Sequence, residues 1–302
     1  MTVRAHAGAR PLVGVRLVPA LLVCLAAPAF FVLLTPWLGW ILLAAGLGTA
    51  AVLDRGGGGG EVVSVGSTLE SSTQVGVART PSLTRDLSLI AIGMLIVSVI
   101  PLKAELDDAA MVRFTLALGG AVLVPYLVSR FVYRDHAIRF PWRGGGRWTL
   151  WQWAWLIAVL VLGWLILPFY FITSGVYENW PVVDTPDLIA RLFVGVGAVG
   201  IWDELFFICT CFALLRRHFA DATANVLQAI VFVSFLWELG YRAWGPVLTI
   251  PFALLQAVIF LRTKSLAYVV TVHLLFDAVV FGVLVHAHNP GLLDAVFLVP
   301  AP

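Results

Sequence analysis

The chain has 302 residues, 61% of them hydrophobic and only 12% charged. Soluble domains carry about 25% charged residues, so this chain lacks the polar cover of a soluble enzyme or a nucleic-acid-binding protein, and a disordered chain is excluded as well. What remains is an all-α polytopic membrane protein. The net charge of +2 gives no reason to expect a nucleic-acid partner.

A membrane-crossing helix needs about 20 mostly apolar residues. Such runs lie at about 17–34, 37–53, 87–102, 112–132, 149–172, 188–215, 222–240, 244–262 and 266–287. This predicts seven to nine spans, nine in the fullest reading. The first run ends in small residues, Leu25-Ala26-Ala27-Pro28-Ala29, like a signal peptide. A second apolar run follows at once, so residues 1–53 read as a retained hairpin that contributes no ionisable group at bilayer depth. Residues 54–86 contain five consecutive glycines, Gly56 to Gly60, and read as a flexible cytoplasmic linker. Residues 87–148 supply further spans and a basic loop around Arg143 and Arg147. Residues 149–288 hold the chemically interesting spans. Cys24, Cys209 and Cys211 sit in apolar runs and suggest neither a disulfide framework nor a zinc motif.

Lys and Arg favour the cytoplasmic side of a membrane protein. With the N-terminus inside, fifteen of the nineteen basic residues fall on cytoplasmic segments, leaving only Lys103, Arg113, Arg191 and Arg242 opposite. Trp142, Trp148, Trp151, Trp153 and Trp155 mark a headgroup-level belt beside the basic loop. Short loops suggest a bacterial plasma membrane.

Charges inside spans cost about 2.5–3.5 kcal/mol each on insertion scales, and by default they mark function. Here they gather in three runs: Asp203 and Glu204, Glu238, and His273 with Asp277. At about 1.5 Å per residue, Glu204 lies about 18 Å from Arg216, and His273 and Asp277 lie about 13 and 19 Å beyond Lys264. These positions share a level near mid-bilayer. Glu238 is about 25 Å beyond Asp221 and reaches that level only if its helix starts late or tilts. His273 and Asp277 share a helix face at i,i+4. A carboxylate beside a histidine supplies general-base and metal-ligand chemistry. Four carboxylates and one imidazole leave an excess of negative charge, which either a divalent metal such as zinc on Glu204, Glu238 and His273 or a proton on one carboxyl would offset.

These segments resemble the CPBP family, the CAAX proteases and bacteriocin-processing (Abi) proteins, over about 150–288. The family motif E-E-x-x-x-R is matched by Asp203-Glu204-Leu205-Phe206-Phe207-Ile208, with Asp for the first Glu and Ile208 for the Arg. The aromatic–His motif is matched by Leu236-Trp237-Glu238-Leu239, with Glu238 in place of His. The last motif, H-x-x-x-N/D, is matched in full by His273 and Asp277. The run Phe260 to Leu266 is similar to the family's short turn before its last helix.

The resemblance implies an intramembrane endopeptidase acting on a membrane-associated peptide or protein. Glu204 would then be the general base, and His273, oriented by Asp277, would hold water or metal and stabilise the oxyanion, with Asp203 and Glu238 completing the site. A non-catalytic membrane scaffold or sensor, or a transporter built on the same carboxylates, are the rival readings. No inverted repeat supports the transporter.

The charge distribution yields a direct test of orientation. A Ser72→Cys variant is expected to react with a membrane-impermeant thiol reagent only after cells are opened; labelling of intact cells would refute the nine-span orientation.

Overall fold

The computed structural model describes residues 12–56, 81–144 and 146–302. Among these the chain forms nine long helices: α1 (Leu12–Phe31), α2 (Pro36–Gly56), α3 (Leu83–Ser98), α4 (Asp108–Tyr133), α5 (Leu150–Thr173), α6 (Pro186–Leu215), α7 (Asp221–Leu239), α8 (Gly245–Thr263) and α9 (Leu266–His288). The described residues contain no strand. Eight of the nine are long and apolar enough to cross a membrane, α3 being the exception. At 16 residues it spans about 24 Å, short of a bilayer core of about 30 Å. The chain is an integral membrane protein, and large side chains such as Leu150, Trp151 and Leu116 lie on its outer surface, where lipid rather than water is the solvent.

Helix ends follow local chemistry. Asp107 caps α4 by accepting from the Ala110 N–H at 3.0 Å. Thr149 and Gln152 form a reciprocal capping box on α5, which satisfies two orphan donors at once. Thr185 caps α6, with Pro186 in its first turn, where a missing N–H costs nothing. α7 stops at Gly240, whose φ of +136° suits a residue without a Cβ. α8 stops at Lys264 in the left-handed region, and Ser265 immediately caps α9. This two-residue turn sets α8 and α9 antiparallel and fixes their relative register.

The N-terminal hairpin does not stand apart from the bundle. α1 packs against α3 and α7 as well as α2. Ala20, Val23, Cys24 and Ala27 are fully buried, and Phe31 meets Phe235 of α7 edge-on at 6.3 Å. The sequence pattern hid this because a helix face that meets apolar neighbours and one that meets lipid have the same composition. Most of the expected 54–86 linker, residues 57–80, lies outside the described residues, and its ends belong to α2 and α3.

At the basic end a buried ionic network joins α3, the α4–α5 connection and the end of α6. Arg217 Nη1 donates to Asp86 Oδ1 at 2.6 Å and to Asp135 Oδ2 at 3.1 Å. His218 Nε2 lies 2.6 Å from Asp86 Oδ2. Asp135 Oδ1 accepts from Ser129 Oγ at 2.8 Å and from the Ala137 N–H at 3.2 Å. Burial pushes the Asp135 carboxyl up, but hydrogen bonds from Ser129, Arg217 and Ala137 outweigh it and hold the group below its ordinary value. A depressed carboxyl contributes stability above its unfolded pKa and loses it as pH falls through the folded one. An Asp135→Asn variant is therefore expected to melt earlier than wild type at pH 7, with the gap closing below about pH 4. A gap that stays constant from pH 7 to pH 3 would refute the ionic contribution.

Candidate active site

The helix that carries Asp203 and Glu204 changes its winding there. α6 is α-helical to Asp203, π-helical from Glu204 to Phe212, then α-helical again to Leu215. A π-turn places more residues in each turn, so successive side chains diverge less, and such segments concentrate at functional sites. Both carboxylates consequently point into the bundle, each 1% exposed.

They meet one imidazole. His273, on the second turn of α9, places Nδ1 2.7 Å from Glu204 Oε1. Its other nitrogen, Nε2, lies 3.5 Å from Asp203 Oδ2 and 3.9 Å from Asp277 Oδ1. Phe252 packs edge-on against the ring at 4.9 Å between centroids and limits its rotation. On the far side of Glu204, Gln256 of α8 donates to Oε1 at 2.6 Å. Three helices thus hold the cluster: α6 through its carboxylates, α9 through His273 and Asp277, α8 through Gln256 and Phe252.

Close approach of α6 and α9 depends on Gly200. A Cβ there would collide with Asp277 Oδ2 and crowd the ring of His273. The glycine lets the α9 carboxylate lie directly on the α6 backbone.

A cavity of about 470 Å³ runs between α4 and α6 and reaches the cluster. Its walls are almost entirely apolar, and its polar side chains include Asp203, His273 and Asp277. Glu204 does not line it; this carboxylate sits behind the imidazole. Within the cluster Asp203 Oδ1, Glu204 Oε2, Gln256 Oε1 and Asp277 Oδ2 are buried without a hydrogen-bond partner. Unpaired buried oxygens cost about 1–3 kcal/mol each.

Four of the five expected residues come together: Asp203, Glu204, His273 and Asp277. Glu238 does not. It lies one residue before the end of α7, and its Oε1 accepts from the Leu102 N–H at 3.2 Å in the α3–α4 connection. It stands 17 residues into its helix and His273 only seven into the next span on the same side, an axial offset of about 15 Å. The set Glu204, Glu238 and His273 therefore cannot share a cation. Glu204 Oε1 is already engaged by His273 and Gln256, and among the described residues no three His, Cys, Asp or Glu side chains gather as metal ligands. The donor set does not fit the expected metal.

Gln256 and Gly200 escaped the sequence reading. Gln256 is an uncharged polar residue at bilayer depth, a signal that a search restricted to charges passes over. Gly200 carries no signal until its helical neighbour is known. Ile208, at the position of the family arginine, is buried among apolar side chains, so no cation neutralises the carboxylates from that position.

Residues 185–279 match the family model described as type II CAAX prenyl endopeptidase Rce1-like. The match runs from the cap of α6 into α9 and includes every residue of the cluster. This stretch is thus similar to the Rce1-like endopeptidases, consistent with the CPBP resemblance of its motifs. No curated protein and no solved structure matches the chain.

The role of Gly200 is open to measurement. Gly200→Ala is expected to destabilise the detergent-solubilised protein by about 1–3 kcal/mol, because a well-packed contact must open. Unchanged stability would mean that α6 and α9 separate without cost.

Proposed function

We propose that the protein is an intramembrane endopeptidase that hydrolyses a peptide bond of a membrane-associated, CAAX-like substrate with water activated by Asp203. The observation that carries this reading is the division of labour around His273. Glu204 engages Nδ1 and does not line the cavity, while Asp203 and Asp277, which do line it, lie on the Nε2 side of the ring. This arrangement moves the base from Glu204, favoured by sequence, to Asp203.

The chemistry uses one water molecule and side chains of the chain. Water seated between Asp203 and His273 gives a proton to the Asp203 carboxylate as its oxygen adds to the substrate carbonyl carbon. The C=O π electrons move onto oxygen. Asp203 then returns the proton to the amine nitrogen as the C–N bond breaks. Glu204 accepts from His273 Nδ1 and so fixes its tautomer and angle, leaving Nε2 to face the water. Asp277 holds the other side of that space. Glu204 is a positioning residue in this scheme. The apolar cavity limits competing bulk water and admits an apolar peptide segment from the bilayer side.

The basic end of the bundle is the cytoplasmic end in this reading, since most Lys and Arg collect there. That places the N-terminus inside and the cavity within reach of substrates anchored in the inner leaflet.

Asp203→Asn is expected to lower turnover of a membrane-anchored peptide by about 10²–10⁴-fold, with unchanged melting. Glu204→Gln is expected to retain more activity and to displace the pH–rate profile, because it alters the imidazole without removing the base. Full activity of folded Asp203→Asn would overturn the assignment. Binding of membrane peptides with no cleavage by wild type would favour the scaffold reading.

A further inference from the structure

A second cavity, of about 440 Å³, opens at the basic end of the bundle and plays no part in the chemistry above. Its lining includes Tyr126, Arg130, His136, Arg139 and Phe140. Tyr126 and Phe140 also line the cavity between α4 and α6, so the two spaces adjoin. The larger one follows α4 from Met111 to Tyr126, about 22 Å, and is mostly apolar apart from the carboxylates and His273. The smaller one is cationic. Among the described residues neither Arg130 nor Arg139 has a carboxylate within 4 Å. Arg130 Nη1 instead lies 3.4 Å from His136 Nδ1, and Arg139 Nε donates to the His136 carbonyl at 3.4 Å.

The segment that presents these groups is held in an uncommon shape. α4 ends in a π-helical turn, Val128–Tyr133. Arg134 and His136 follow with φ of 54° and 48°, a left-handed conformation that non-glycine residues adopt only when their surroundings enforce it. Asp135 enforces it: the Ser129 hydroxyl, the Ala137 N–H and Arg217 all bind its carboxylate. Strain maintained by a dedicated network points to function. Both guanidinium groups are exposed and without a carboxylate partner among the described residues, which leaves them available to an anion.

We propose that the two adjoining cavities bind an anionic phospholipid, with its phosphate at Arg130, His136 and Arg139 and an acyl chain reaching past Tyr126 and Phe140 into the groove between α4 and α6. A small anion would use only the basic pocket, and a neutral lipid only the groove. An amphiphile with a phosphate head uses both. The site lies at the end marked by Trp142, Trp148 and Trp151, residues suited to the headgroup level. A chain in the groove lies over Asp203 and His273, so bound lipid and a membrane peptide exclude one another.

Native mass spectrometry of the full chain, exchanged from detergent into phosphatidylglycerol or phosphatidylcholine, tests the proposal without reference to peptidase activity. Wild type is expected to retain phosphatidylglycerol and not phosphatidylcholine. The double variant Arg130→Gln/Arg139→Gln is expected to bind phosphatidylglycerol about thirtyfold more weakly. Arg143→Gln/Arg147→Gln, in the neighbouring basic loop, is expected to retain it fully. Gly119→Phe blocks the groove from a position where a side chain meets open space; it is expected to reduce retention and provides the test if the arginine variant fails to fold. Equal retention of the two lipids, an equal loss in both arginine pairs, or unchanged retention in Gly119→Phe would each overturn the proposal.

Discussion

A histidine flanked by three carboxyl groups at the depth of a lipid bilayer constrains everything else in this molecule. No water reaches such a cluster from a hydrocarbon surround, so each polar atom must find its partner within the protein. Glu204 finds two, His273 and Gln256. Meeting that demand requires three helices to approach at one level, and Gly200, the α6 π-segment and the packing of Phe252 each serve that approach. Buried oxygens without a partner remain on Asp203, Glu204, Gln256 and Asp277.

The π-segment of α6 has effects at both of its ends. Behind it, Phe206 and Phe207 join Trp202, Phe232 and Phe235 in a packed aromatic layer. In front, Asp203 and Glu204 reach opposite nitrogens of the same ring. In an uninterrupted α-helix, two adjacent side chains point about 100° apart, and a single imidazole could not meet both so readily. The rewound turn and the aromatic layer are two sides of one local departure from α geometry, paid for by burial of large side chains.

The fold was largely readable from the sequence because a bilayer leaves few alternatives. Nine apolar runs became nine helices, and even the short third run is present as α3. Glu204, His273 and Asp277 share one depth by count of residues along their helices, since rise per residue is nearly constant, and they meet in the structure. The same arithmetic separated Glu238, which motif matching had drawn into the site. Roles within the cluster were not readable. Choosing between Asp203 and Glu204 depends on which side of the ring each occupies, and that is set by local helical winding that no residue pattern announced. The contribution of Gln256 depends on the rotation of α8, and the docking of α1 on α3 and α7 depends on small-residue contacts that resemble lipid-facing sequence.

The turn between α8 and α9 leaves Lys264 and Ser265 alone to reverse the chain. Gln256 and His273 stand on opposite arms of this reversal and reach Glu204 from different directions. One added residue in the turn would rotate the following helix by about 100° and slide it by about 1.5 Å, carrying the histidine off the face it shares with α6. Length variation among related chains should therefore be absent at this junction even where other loops differ freely. Affinity tags, reporter domains and crystallisation chaperones fused into the chain belong elsewhere.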